Sequence, residues 1–225
     1  MERLVLWDID HTLVEMRGVG GELFGRAFAR VTGWRMERQA AVDGMTDPVI
    51  FRETAALHGV TTGRREFEEF ARALGEEHAR AVAEIRSRGV ALPGAASALA
   101  ALAEAGVRQG VVTGNVRSSA RVKLAAFGLD SFVDWEAGAY GEDAETRPEL
   151  VRIALKRAGS PAVGRVSLLG DTPADVRAAV EVGVRAVGVA TGRSTEAELA
   201  EAGADSTLPG LDDTKRVVSA ALGAR

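Results

Sequence analysis

The stretch Leu4-Val5-Leu6-Trp7-Asp8-Ile9-Asp10-His11-Thr12-Leu13 decides how this chain is read. An apolar run with strand character ends in two carboxylates one residue apart. Burying an unpaired carboxylate costs several kcal/mol or forces it to take up a proton, so Asp8 and Asp10 belong at the strand's exit, where a site can form. An Asx-turn, with Asp10 or Thr12 bonded to nearby backbone amides, also accounts for polar residues there.

Two further segments repeat the arrangement. Val107 to Val112 leads into Thr113-Gly114-Asn115, and Val166 to Leu169 leads into Gly170-Asp171-Thr172-Pro173-Ala174-Asp175. Val116, Ala120, Leu124 and Phe127 then follow helical spacing up to Gly128, and Val176, Ala179 and Val180 do so up to Gly183. Strands that alternate with helices make a parallel sheet, and ligands bind at the edge formed by the carboxyl ends of its strands. Asp8, Asp10, Thr113, Asp171 and Asp175 are therefore expected to converge on one edge. Local capping is a second account of some of these residues. Thr172 suits an N-cap, Pro173 the first helical position and Asp175 the acid of a capping box, while Asn115 suits the cap of its own helix. Capping does not require Asp171.

DIDHT at 8–12, VVTGN at 111–115 and GDTPAD at 170–175 resemble three of the four signature motifs of the haloacid dehalogenase-like hydrolase superfamily, in the same order, over roughly residues 3–190. The resemblance implies an α/β fold, a Rossmann-like parallel sheet core with a small α-helical cap domain inserted after the first motif. It places the core at residues 1–14 and 93–225 and the cap at 15–92, and points to the phosphoglycolate phosphatase-like branch. It further implies that Asp8 is a nucleophile that forms an aspartyl-phosphate, and that Asp10 is the general acid and base. Mg²⁺ is the implied cofactor, with side chains of Asp8 and Asp171, the backbone carbonyl of Asp10 and a water-mediated contact from Asp175 around it. Thr113, Gly114 and Asn115 would hold the phosphoryl oxygens at a helix N-terminus.

The family's remaining motif supplies a fixed positive charge, usually lysine and often before proline. Here the matching place holds Arg147-Pro148, a departure, because a planar guanidinium is not interchangeable with an ammonium. Lys123 is the competing candidate, and its ordinary reading is a solvated lysine on a helix face. The second aspartate, Asp10, is absent from the dehalogenases of the superfamily and favours phosphoryl chemistry. A phosphosugar mutase of the β-phosphoglucomutase type shares the same pair, and a non-catalytic regulator on the same scaffold is a third reading.

The remaining features bound the answer. A net charge of −4 over 225 residues argues against a nucleic-acid or anionic-membrane partner. No apolar run approaches the roughly 20 residues that span a bilayer. The absence of cysteine, together with no signal-peptide pattern at Met1-Glu2-Arg3, leads to the expectation of a cytoplasmic protein without disulfides. The resemblance implies a small phosphorylated metabolite as the substrate, and a monomer or homodimer is expected. From about Glu15 to Leu92 the periodicity is helical: Phe24, Ala27, Phe28 and Val31 form one stripe, and Phe67, Phe70, Leu74, His78, Ala81, Val82 and Ile85 another. His78 reads as a packing histidine and His11 as a residue placed by its backbone. Within Gly44-Met45-Thr46-Asp47-Pro48, Thr46 is a substrate-facing candidate by resemblance, whereas Asp47 also suits an N-cap before Pro48. Arg17 and Arg52 are candidates for a substrate carboxylate.

Overall fold

The computed structural model describes residues 3–223; Met1 and Glu2, and the last two positions of the expected core, lie outside them. The elements in chain order are β1 (Leu4–Trp7), β2 (Val14–Glu15), α1 (Val19–Thr32), α2 (Asp47–Leu57), α3 (Arg64–Arg80), α4 (Val82–Arg88) and β3 (Val90–Ala91). They continue with α5 (Ala95–Glu104), β4 (Arg108–Val111), α6 (Arg117–Ala126), α7 (Arg147–Arg157), β5 (Val166–Gly170), α8 (Pro173–Val182), β6 (Arg185–Val189), α9 (Glu196–Glu201), β7 (Ser206–Leu208) and α10 (Thr214–Leu222). Five strands form one parallel sheet in the order β4-β1-β5-β6-β7.

β1 is the strand at which the order reverses, and such a switch point opens a crevice at the strands' carboxyl ends. Register fixes what meets there. Trp7 is level with Val111 of β4 and with Leu169 of β5, so Asp8, Thr113 and Asp171 all leave the sheet at about the same height. The strand's two faces have different partners, as a period of two requires. Val5 and Trp7 pack with Leu99 and Leu102 of α5, Leu124 of α6 and Val217 of α10. Leu4 and Leu6 pack with Leu150 and Val151 of α7 and Val176 and Ala179 of α8. Gln109, buried in β4, is paired: it accepts from Trp7 Nε1 at 3.1 Å and donates to the Leu99 carbonyl at 2.9 Å.

Between β2 and β3 the chain makes four helices, and these two short strands pair antiparallel where it leaves and returns. The helices close on an aromatic cluster of Phe24, Phe28, Phe51 and Phe70, with Phe51 and Phe70 stacked at 4.3 Å. Val116 and Ala126, at the two ends of α6, belong to the same cluster, so the insert packs on the core. The stripe expected from Phe67 to Ile85 is divided. At Ala81 one N–H is shared by the carbonyls of Glu77 and His78, which tightens the end of α3 before α4 begins. No described helix is long and apolar enough to cross a membrane.

Candidate active site

Asp8 follows the last residue of β1 and is buried, with its N–H donating to the Leu169 carbonyl at 2.9 Å. The chain then turns tightly, because the Ile9 carbonyl accepts from the amides of Thr12, Leu13 and Val14. His11 sits in the left-handed region at φ 59°, and its carbonyl accepts from Thr191 Oγ1 at 2.5 Å. Its ring is exposed, so the backbone is what the turn uses. Thr12 is buried and donates to Asp171 Oδ1 at 3.2 Å, tying the first motif to the third.

Asp10 points the other way, into a network with the second motif. Lys123 Nζ donates to its two oxygens at 2.8 and 2.7 Å and to Asn115 Oδ1 at 2.7 Å. Asn115 Nδ2 bridges Asp10 Oδ2 and Thr113 Oγ1, both at 2.7 Å. The expectation of a solvated Lys123 is therefore wrong. Its side chain is 6% exposed, because position 123 lies on the buried stripe of α6 and the ammonium finds a carboxylate there. Burial raises the proton affinity of Asp10, but the charge and hydrogen bonds of Lys123 and the bond from Asn115 outweigh it and hold Asp10 below the usual carboxylate range.

Arg147 opens α7 beside Pro148, and its guanidinium is buried against Asp8. Nη1 donates to Asp8 Oδ1 at 3.2 Å and to the Val112 carbonyl at 3.3 Å, and Nε lies 3.1 Å from Asp175 Oδ1 without the alignment of a hydrogen bond. Asp175 closes the expected capping box, its Oδ2 accepting from Thr172 Oγ1 at 2.6 Å. One oxygen thus serves the cap while the other, buried Oδ1, faces the Arg147 guanidinium without accepting a hydrogen bond. Capping and the site use the same residue.

Oxygens of Asp8, Asp171 and Asp175 lie within 4.8 Å of one another. Burial, and then the mutual repulsion of the carboxylates, push Asp171 up to about 7; burial pushes Asp8 well above its ordinary value against the pull of Arg147. Three carboxylates facing one guanidinium leave two negative charges uncompensated. A hard divalent cation matches both that charge and an all-oxygen donor set, and Asp175 Oδ1, buried and ion-paired with Arg147, accepts no hydrogen bond, so these residues fit Mg²⁺. Gly192 belongs to the fit as well, since a Cβ there would lie 1.8 Å from Asp171 Oδ2.

The insert covers this edge and leaves a cavity of about 530 Å³ whose lining includes Asp8, Asp10, Thr113, Lys123, Arg147 and Asp171. Beside the packing of α3 and α4 on α6, the Gly44–Pro48 segment also touches the core. Thr46, and not Asp47, is the N-cap of α2. Asp47 is spent elsewhere: its N–H donates to the Gly114 carbonyl and its Oδ2 accepts from the Val116 N–H, both at 2.8 Å, so it caps α6 across the interface in place of Asn115. Gly114 allows this approach, since a Cβ would come within 2.1 Å of the Met45 carbonyl.

The other substrate candidates fare differently. Arg17 reaches the cavity rim, where its exposed side chain lies 3.8 Å from Glu15. Thr46 is buried with its hydroxyl on the Glu145 carbonyl, and Arg52 pairs with Glu145 at 2.6 Å. Neither lines the cavity, because Glu145 draws the face of α2 that carries them toward the core. The burial of Lys123 had a signal in the sequence, since it lies three residues after Ala120 and seven after Val116. The reach of Asp47 to Val116 had none.

The family model for haloacid dehalogenase-like hydrolase matches residues 5–179. "Probable phosphatase IndB" of Dickeya dadantii (strain 3937) is 30% identical over 206 residues, which cover 88% of this chain and 86% of that protein. Among solved structures, CbbY from Rhodobacter sphaeroides in complex with phosphate is similar at a TM-score of 0.68 and 22% identity, covering 95% of this chain and 96% of that one. One described as a predicted phosphoglycolate phosphatase from Haemophilus somnus is similar at a TM-score of 0.69 and 19% identity, covering 96% and 98%. At such identities these structures speak for the fold alone.

Proposed function

Because the chain belongs to the haloacid dehalogenase-like hydrolase family, we propose that it is a Mg²⁺-dependent phosphomonoester hydrolase, working in the cytoplasm on a small phosphorylated metabolite through an aspartyl-phosphate on Asp8. The observation that carries this reading is the buried Asp8 at the end of β1, held between Arg147 and two further carboxylates, with Asp10 and Thr113 across the cavity floor. An oxygen of Asp8 attacks phosphorus, the ester P–O bond breaks, and Asp10 gives its proton to the leaving oxygen. Water then attacks phosphorus, Asp10 takes its proton, and phosphate leaves Asp8 free. A substrate dianion beside Asp10 raises its proton affinity and so opposes Lys123.

Arg147 balances the charge that builds up on the phosphoryl oxygens, while Thr113, Gly114 and Asn115 receive them at the start of α6. Asp8, Asp171 and Asp175, with the Asp10 carbonyl, would hold Mg²⁺, which when bound screens the phosphate so that an anionic nucleophile can approach. Residues 15–92 act as a cap that keeps bulk water from the core formed by 1–14 and 93–225.

The test is phosphate release over a panel of phosphomonoesters, with Mg²⁺ and with chelator, by the wild type and Asp8→Asn. Activity should vanish in chelator and return with Mg²⁺, and Asp8→Asn should fall by about three orders of magnitude or more with its fold intact. Near-normal hydrolysis by Asp8→Asn, or full activity in chelator, would sink the reading. Transfer of the phosphoryl group to a second sugar hydroxyl instead of water would replace it with a mutase.

A further inference from the structure

On the phosphatase reading, the helix at whose start the phosphoryl group is received cannot cap itself. α6 begins after Val116, whose apolar side chain offers no acceptor to the open amides of the first turn. Two carboxylates from other segments take that place. Glu142 of the core accepts from the Arg117 N–H at 3.0 and 2.9 Å, and Asp47 of the insert accepts from the Val116 N–H at 2.8 Å. In the loop before the helix, the Asn115 N–H donates to Thr113 Oγ1 at 3.2 Å, and the Gly114 N–H donates to none of the described residues. The Gly114 N–H is thus the amide left for a phosphoryl oxygen, and its direction depends on what holds the backbone around it.

The insert holds that backbone. The Asp47 N–H donates to the Gly114 carbonyl at 2.8 Å while the Asp47 carboxylate holds Val116, so one residue grips the loop at two points. On the opposite side the Gly141 N–H donates to the Asn115 carbonyl at 2.8 Å, and a Cβ on Gly141 would lie 2.1 Å from the Gly114 carbonyl oxygen. The loop is therefore the middle of three backbone segments stacked too closely for side chains. Asp47 is fixed in turn: it is buried, it is the first residue of α2, and the hydroxyl of Thr46 before it donates to the Glu145 carbonyl at 3.3 Å. Since α3 and α4 also pack on α6, the insert has a seat on the core that does not use Asp47.

Resting on the phosphatase reading, we propose that Asp47 is a positioning residue for the phosphoryl group: through the Gly114 carbonyl and the Val116 amide, the insert fixes the backbone of residues 113–116 so that the Gly114 N–H is aimed before the phosphoryl oxygens arrive. Donors fixed in advance need no reorganisation when charge reaches them. Without the Asp47 carboxylate the Val116 N–H is a buried donor with no acceptor, and the loop shifts to satisfy it. The negative charge of Asp47 is of no help to an incoming dianion; what the loop uses is the acceptor.

The probe is inorganic phosphate, its Kd measured by calorimetry in the presence of Mg²⁺ for the wild type, Asp47→Ala, Asp47→Leu and Asp47→Asn, with thermal unfolding followed on the same samples. Asp47→Ala and Asp47→Leu, which lack the acceptor, should bind phosphate more weakly by about tenfold or more, and Asp47→Asn, whose amide oxygen can still accept from Val116, should stay within about threefold of the wild type. A lower melting temperature with a wild-type Kd in the acceptor-free variants would leave Asp47 a structural role only and overturn the proposal. Tighter binding in Asp47→Ala, or binding as weak in Asp47→Asn as in Asp47→Ala, overturns it as well. One folded acceptor-free variant is enough to decide, and failure of both to fold beside a folded Asp47→Asn makes the role structural and counts against the proposal. A wild type that binds no phosphate overturns the proposal together with the phosphatase reading. A wild type that binds phosphate but hydrolyses no ester of the panel removes that reading alone, and the Kd values still decide this one.

Discussion

Arg147 and Lys123 bring buried cationic heads to the edge of the sheet, and each is matched to a different aspartate. Arg147 reaches Asp8 and Asp175 together; Lys123 spends its three donors on Asp10 and Asn115. On the proposed mechanism they therefore serve different aspartates and do not compete for one role. Arg147→Ala should lower kcat/KM by about a hundredfold or more, because it strips from Asp8 and Asp175 the buried cation paired with them. Lys123→Met should cost at least tenfold, because Asp10 and Asn115 lose the group that orients them. A silent Lys123→Met beside a dead Arg147→Ala would contradict the second half of this account. The position of Arg147 was legible from Arg147-Pro148 before a helix, whereas Lys123 was misjudged: a helical lysine is usually exposed, and only a partner 113 residues away makes its burial affordable.

At the scale of elements, the insert is joined to the core by a helix cap that crosses the chain. Asp47 and Val116 are 69 residues apart, so no local pattern could reveal their bond, while the Thr172–Asp175 capping box could be read directly. Burial lifts the Asp47 carboxyl to about 7, against the Val116 hydrogen bond and the charge of Lys123. The sign follows from linkage. A carboxyl that binds its proton more tightly when folded adds stability that is fully present below its unfolded value of about 3.9 and is lost as pH rises through about 7. Asp47→Asn keeps an acceptor for Val116 and removes the titration. Its stability relative to the wild type should therefore improve with pH between about 4 and 7, by at most about 1.4 kcal/mol per pH unit. Paired denaturant curves check this. His78 contributes the opposite slope, losing stability as pH falls from about 6.5 through its folded value of about 4, and is common to both proteins. A difference between the two proteins that is flat with pH would mean that Asp47 stays ionised.

The molecule as a whole places a helical insert over the edge of a five-stranded parallel sheet at its switch strand. The three strand–turn–helix units could be read from sequence because each carries its own signals: an apolar run, a polar exit, a cap and a helical stripe. How the insert sits on the core could not, since Gly114 against Met45, Asp47 against Val116 and His78 beside Ser119 are contacts between distant segments. The substrate candidates Thr46 and Arg52 failed for the same reason, as Glu145, far along the chain, claims both. The central claim is the covalent step at Asp8, and acid quench during turnover of a radiolabelled phosphomonoester tests it most directly. The account predicts label bound to the protein in the first turnover, located in the tryptic peptide Leu4–Arg17, chased away by unlabelled substrate and absent from Asp8→Asn. Substrate turned over with no label ever held by that peptide would contradict it.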